Sequence, residues 1–400
     1  MTGLRFAAAA LAACLALAPA AGPAEATEEG AALVDEVARI VERHFYDRGL
    51  AGVDWKAASE RHRTAAREAA DRRGDLEAAN ALLSELRVSH TFLIPAEVYE
   101  RTYDSEMRGR ATSQFGFMLE RRGTRFFVSD LLAGGAADRA GLRRGDEVVS
   151  LDGAGPAAAP RLVAFHDRGT GAAARYELDP SDGKPIAVEL RRAEGQATAT
   201  VEVAAGETNR VLASAASIRT IRRDGLRFGY ARLYHVLHRD CYRALEQALM
   251  GPLASADGLI LDLRGWGGYW DPVGRSVVRL VSGVGSPWRG RVVAIVDENT
   301  RSAKEVMAYH LRKRGIPLVG RRTAGAVLGA GFYPTTVASA VVVLAVRDVR
   351  SLTDGVNLEG AGVEPDVPVD DALPYAGGED ELVEAACRDL EARLAGARLR

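Results

Sequence analysis

Residues Val292–Val296 are five consecutive apolar residues, four of them β-branched. Such a run is too short for a helix and reads as a strand buried on both faces. The chain breaks pattern over Asp297–Arg301, and Ser302 then opens a segment whose apolar positions, Val306, Met307 and Leu311, recur at helical spacing. A buried strand feeding a helix through a short turn belongs to an open, largely parallel α/β sheet. Such sheets do their chemistry beyond the carboxyl ends of the strands. Ser302 and Glu305 fit the S-x-x-E capping box, a purely structural task. The same junction is where a hydrolase can place a nucleophilic hydroxyl, because helix N–H groups and the helix dipole favour a developing oxyanion. The residues of this stretch leave both roles open.

The surrounding pattern is consistent with that sheet. Phe228–Leu233 predicts a strand, Tyr242–Met250 a helix, and Gly258–Leu263 a buried strand ending in Arg264-Gly265-Trp266-Gly267-Gly268. Ile316–Val319, a loop over Thr323–Gly331, a strand over Ala340–Val346 and a glycine-rich turn at Glu359–Asp366 follow, with an amphipathic helix over Glu379–Leu394 as a cap. Upstream, Glu28 to Leu93 carries helical stripes (Val34, Val37, Ile40, Val41, Phe45), and Arg87–Ile94 then turns strand-like. His90 therefore sits where a helix gives way to an extended segment. Between these parts, Ser113–Ala205 is a series of short β-type runs punctuated by glycine.

The N-terminus has one early arginine, an Ala/Leu-rich run from Phe6 to Ala21 and an Ala24-Glu25-Ala26 ending. This predicts an export signal cut after Ala26 and a periplasmic or secreted protein. Leu11-Ala12-Ala13-Cys14 also resembles a bacterial lipoprotein signal, which would make Cys14 a lipidated terminus and the membrane a partner. A formal net charge of −2 over 400 residues, without a basic block, argues against nucleic acid as a partner. Cys241 and Cys387 could pair in an oxidising compartment or remain buried thiols, and no metal-ligand spacing is present. The expected organisation is a signal (1–26), a helical region (27–108), a β-domain (109–205), an α/β core (206–375) and a terminal helix (376–400).

Ala137–Gly153 reads A-x-x-A-G-L-x-x-G-D-x-V-x-x-x-D-G, which closely resembles a PDZ domain. The resemblance implies that the loop Phe115-Gly116-Phe117-Met118 captures a free C-terminal carboxylate while the tail adds as a strand to the sheet edge. L-D-L-R-G-x-G-G at Leu261–Gly268, S-A-x-E at Ser302–Glu305 and E-G-x-G-V-x-P-D at Glu359–Asp366, in this order behind a PDZ unit, resemble the C-terminal-processing (tail-specific) serine proteases. That implies an α/β multidomain fold with a ClpP/crotonase-like protease core, endopeptidase activity on polypeptide tails, and no metal or organic cofactor. It places the nucleophile at Ser302 and the oxyanion hole at the amides of Gly267, Gly268 and Ala303.

One branch of that family activates its serine with a lysine, and Ala326 stands at that position. Lys304 is about 200° round the helix from Ser302, and His310 is two turns on, about 12 Å away. A second branch, similar to the tricorn protease core, uses Ser-His-Glu. On that resemblance His90, within Ser89-His90-Thr91, is the base and Glu359 its carboxylate partner. Val88 departs from the acidic residue common there, and His235 and His238 are rival bases. A peptide-binding protein that kept the fold but lost catalysis is the alternative reading.

Overall fold

The computed structural model describes residues 23–165, 175–283, 286–370 and 372–398. Residues 1–22, with Cys14 and most of the expected signal, lie outside them. The N-terminal stripes form three helices, α1 (Pro23–His44), α2 (Trp55–Arg67) and α3 (Arg72–Ser84). The Asp54 and Asp71 carboxylates cap α2 and α3 by accepting the N–H groups of Ala57 and Gly74. A short strand β1 (Phe92–Pro95) follows.

The middle of the chain supplies β2 (Thr112–Gln114), β3 (Phe117–Arg122), β4 (Arg125–Leu131), β5 (Glu147–Leu151), β6 (Leu162–Phe165), β7 (Arg175–Leu178), β8 (Ile186–Arg191), β9 (Ala199–Val203) and β10 (Gly206–Thr208). Seven of these make an antiparallel sheet in the order β6-β7-β3-β4-β5-β8-β9, and β2 pairs with β10. Its core gathers Phe115, Phe126, Val148, Val188 and Leu190.

The last part comprises α4 (Arg210–Ala216), β11 (Arg219–Arg223), β12 (Leu226–Arg232), α5 (Arg239–Met250), β13 (Gly258–Asp262), α6 (Arg275–Ser282), β14 (Arg291–Val296), α7 (Ala303–Lys313), β15 (Leu318–Gly320), β16 (Gly329–Pro334), β17 (Ala340–Arg347), β18 (Val367–Pro368) and α8 (Glu381–Arg398). Its sheet runs β11-β12-β13-β14-β15-β18, parallel from β12 onward, with β11 antiparallel at the edge. The alternation of a strand decides which helix covers which face. Leu259, Leu261, Val292, Ala294 and Val296 pack with Leu245, Val277, Met307 and Leu311 of α5, α6 and α7. Ile260, Val293 and Ile295 point the other way, onto Leu382, Ala386 and Leu390 of α8. Cys241 and Cys387 are both buried free thiols, in the clusters on opposite faces of this sheet.

One boundary differs from expectation. The apolar run Ala340–Val346 leaves the parallel sheet and forms a separate three-stranded sheet, β1-β17-β16. Helices α1–α3 bury their stripes on it, so that Leu33, Val37, Leu82, Leu93, Val342 and Leu344 share one core. The helical region is thus fused to the C-terminal part of the chain through β1, and that fusion carries His90 to the carboxyl ends of the parallel strands.

Candidate active site

At the end of β14 the Asp297 carboxylate accepts the N–H groups of Asn299 and Thr300, at 3.0 and 2.9 Å, tightening the turn into α7. Ser302 then adopts φ +57°, ψ −131°. Side chains seldom occupy this region, and holding one there costs about 1–3 kcal/mol. Its N–H is held by the Ala326 carbonyl at 2.7 Å and by the Glu305 carboxylate at 3.2 Å. The Glu305 half of the capping box is therefore formed, and it serves the strained turn as well as the helix. Glu305 also accepts the Thr323 hydroxyl and the N–H groups of Gly325 and Ala326. Burial pushes this carboxyl up to about 7, against the pull of those donors.

The glycine turn lies directly against the serine. A Cβ built on Gly267 would sit 2.4 Å from Ser302 Cβ and 3.1 Å from its Oγ, so only glycine allows this approach. Gly268, at φ +145°, would drive a Cβ to 2.4 Å from the backbone of Val236. Val236 brackets the turn: its N–H donates to the Gly267 carbonyl at 2.9 Å and its carbonyl accepts Tyr269 N–H at 3.0 Å. Behind the turn Arg264 forks onto Asp262 and Asp380, and the guanidinium holds the Asp262 carboxyl far below the usual range against its burial. The amide of Ala303, first residue of α7, is one of the donors that every helix start leaves without an intrahelical acceptor.

His90, with φ +54° and 9% exposure, sits between α3 and β1. Its Nδ1 is 2.9 Å from the hydroxyl of Ser89, which is fully buried and donates to Glu359 Oε2 at 3.0 Å. A hydroxyl has one proton. With that proton on the carboxylate, the Ser89 oxygen must accept from Nδ1–H, which leaves Nε2 as the basic nitrogen. Glu359 is anchored by two further amides, Ser89 N–H at 2.8 Å and Val327 N–H at 3.0 Å. The loop 323–327 joins the two halves of the site. It accepts Ser302 N–H at Ala326, and its Gly325 carbonyl accepts Gly360 N–H at 2.8 Å, next to Glu359.

One cavity of about 740 Å³ is lined by Ser302, Ala303, His90, Gly267 and Gly268 together. Its walls are otherwise largely apolar, with Phe92, Val98, Trp266, Phe332 and Val343 prominent. Residues 282–369 match Peptidase family S41 and residues 105–162 match the PDZ domain. The S41 match takes in both Ser302 and Glu359. Among known proteins, the C-terminal processing peptidase of Tetradesmus obliquus chloroplasts is 28% identical over 93% of this chain and 83% of its own. A tricorn protease homolog of Streptomyces coelicolor is 24% identical over 88% of this chain, which spans only 31% of that relative's length. The solved photosystem II D1 C-terminal processing protease overlays 88% of this chain and 98% of its own at a TM-score of 0.51, with 23% identity, a likeness of fold.

Within the same core the rival bases are engaged elsewhere. His235 is fully buried 2.8 Å from Glu106, and burial lowers its pKa; His238 caps α5 by accepting Asp240 N–H. His310 stacks on Trp270 and contacts the Leu352 carbonyl. Ala326 is buried beside Ser302, so the position filled by lysine in one branch offers only a methyl group. Lys304 points away from the cavity, but it is fully buried, which its helical phase alone did not announce. Ser89 was not singled out from the sequence. Its only signal there was its place next to His90.

The PDZ loop departs from expectation. Phe115, Gly116, Phe117 and Met118 are all buried, and the space beside them is about 30 Å³, close to that of one water molecule. A captured tail would have to add to β3, and part of each edge of β3 is already paired. β4 lies on one side, and β7 on the other pairs Tyr176 with Leu119 and Arg175 with Glu120. β6 and β7 pair antiparallel, which sets β7 beside Leu119 and Glu120, where a tail continuing along that edge would run.

Proposed function

We propose that this chain is an exported serine endopeptidase with a Ser302-His90-Glu359 site in which Ser89 bridges the histidine and the carboxylate. The observation that carries the reading is the shared cavity, where a strained serine at a helix start faces the same space as a histidine whose Nδ1 is held through Ser89 by Glu359. Ser302 Oγ attacks the substrate carbonyl carbon while His90 Nε2 takes the hydroxyl proton. The oxyanion falls toward the amides of the Gly267-Gly268 turn and of Ala303, where each donor is worth about 3 kcal/mol. Collapse breaks the C–N bond, His90 returns its proton to the leaving amine, and water activated by His90 then hydrolyses the acyl-enzyme. The apolar walls fit extended polypeptide with apolar side chains. Export rests on the Phe6–Ala26 pattern. A tail running along β3 beyond Met118 would displace β7, so in this reading the substrate is bound in the cleft itself.

The test is a fluorophosphonate that labels activated serines, followed by peptide mapping. Labelling at Ser302 in the wild type, and its loss in His90→Ala and Ser302→Ala, is expected. An unlabelled wild type would leave the non-catalytic reading standing.

A further inference from the structure

Two residues after the nucleophile, on the same helix, Lys304 carries an amine with no exposed surface. Its Nζ donates to the Arg264 carbonyl at 3.1 Å and to the carbonyl of Leu233. Arg264 begins the turn that ends in Gly267-Gly268. Leu233 begins the segment that reaches Val236, the residue bracketing Gly267 and Gly268 from the other side. One side chain thus ties three pieces of backbone together: the start of the nucleophile helix, the base of the glycine turn and the segment that pins its tip.

We propose that Lys304 is a positioning residue that fixes the Gly267-Gly268 amides relative to Ser302, so that the oxyanion donors stand ready before the substrate arrives. The inference rests on the proposed peptidase reading and adds a residue that does not touch the substrate.

A lysine is an unusual choice for a purely structural plug. Buried ammonium groups are expensive without a carboxylate partner, and an unbranched apolar side chain would fill the same space at less cost. Burial, with the Arg232 charge nearby, pushes the amine down to about 7. The neutral amine keeps two N–H groups, enough for the two carbonyls it serves. Both protonation states can therefore hold the turn. The tight packing makes the geometry matter: Gly267 lies against Ser302 with no room for a Cβ, so a shift of the turn directly changes the distance from the oxyanion donors to the reacting carbon.

The experiment compares Lys304→Met, which keeps the bulk and removes the donors, with Lys304→Gln, which keeps two donors at shorter reach. Endpoint fluorophosphonate labelling counts assembled nucleophiles, and kcat is expressed per labelled site. The expected result for Lys304→Met is a tenfold to about hundredfold drop in kcat per site, the scale of an ångström-sized misplacement, with KM within about twofold. Affinity for a peptide boronate, which forms a tetrahedral adduct, should fall by the same factor, and Lys304→Gln should lie between. A merely structural lysine would lower the labelled fraction and the melting temperature while leaving kcat per site unchanged, and that outcome overturns the proposal. If Lys304→Met does not fold, Lys304→Gln decides: lowered kcat per site supports the role and unchanged kcat per site refutes it. Failure of the wild type to label would instead sink the peptidase reading.

Discussion

Replacing Ser89 by alanine isolates the link between Glu359 and His90. The hydroxyl is the only part removed, and Glu359 keeps its bonds to the N–H groups of Ser89 and Val327 at 2.8 and 3.0 Å, so the carboxylate stays in place. What is lost is the bridge from Oε2 through Oγ, at 3.0 and 2.9 Å, to Nδ1. A hydrogen bond involving a charged partner contributes about 1.5–3 kcal/mol. The bridge matters most when the imidazole becomes positive during attack, so its loss falls on the transition state. At about 1.4 kcal/mol per factor of ten, kcat should drop between tenfold and about a hundredfold. KM should hold, because Ser89 does not line the cavity. The assay is steady-state cleavage of one unstructured fluorogenic peptide, run well below the melting temperature, since an orphaned buried donor can also cost about 1–3 kcal/mol of stability. Adding Glu359→Gln provides the internal control: two members of one relay should lose less together than the sum of their separate losses. A kcat within twofold of wild type in Ser89→Ala, or strictly additive losses in the double variant, would refute the relay.

Three other outcomes follow from the same geometry. Gly267→Ala places a Cβ 2.4 Å from Ser302 Cβ, so activity should fall at least a hundredfold, checked as kcat/KM on the same peptide. Because β7 takes part of the β3 edge, peptides with free and amidated C-termini should be cleaved with equal kcat/KM; a clear preference for the free acid would mean that the hairpin yields to tails. Lys304, lowered to about 7 in the folded protein from an ordinary 10.5, binds its proton more readily when unfolded. Its penalty is therefore present below pH 7 and is relieved as pH rises toward 10.5. Urea unfolding should show the wild type gaining ~2 kcal/mol on Lys304→Met between pH 7 and 9, and a flat difference would contradict the burial argument.

Much of the site is written in local sequence, because its parts are turns that only certain residues can make. Gly267 and Gly268 mark a backbone that must touch another backbone, Ser302 stands where an apolar strand meets a helix, and Glu359 begins a turn whose glycines dock on Thr323–Gly325. The strand alternation that sends Val292 to one helix layer and Val293 to the other is equally local. What the sequence left open is everything that depends on packing between distant segments. His90 lines the same cavity as Ser302 because β1 joins β17, some 250 positions along the chain, and hydropathy alone does not choose that partner over the parallel sheet. Ser89 bridges His90 and Glu359 only because Glu359 folds against it. A serine hydroxyl carries no pattern that distinguishes a bridge from a surface group. Helical phase set Lys304 away from Ser302, but its burial depends on where Leu233 and Arg264 leave their carbonyls. The PDZ signature correctly named a fold, but how much of the β3 edge is open depends on Arg175 and Tyr176, which lie outside that signature and pair with β3 themselves. Local chemistry determined which residues could act; the register between remote strands determined which of them meet.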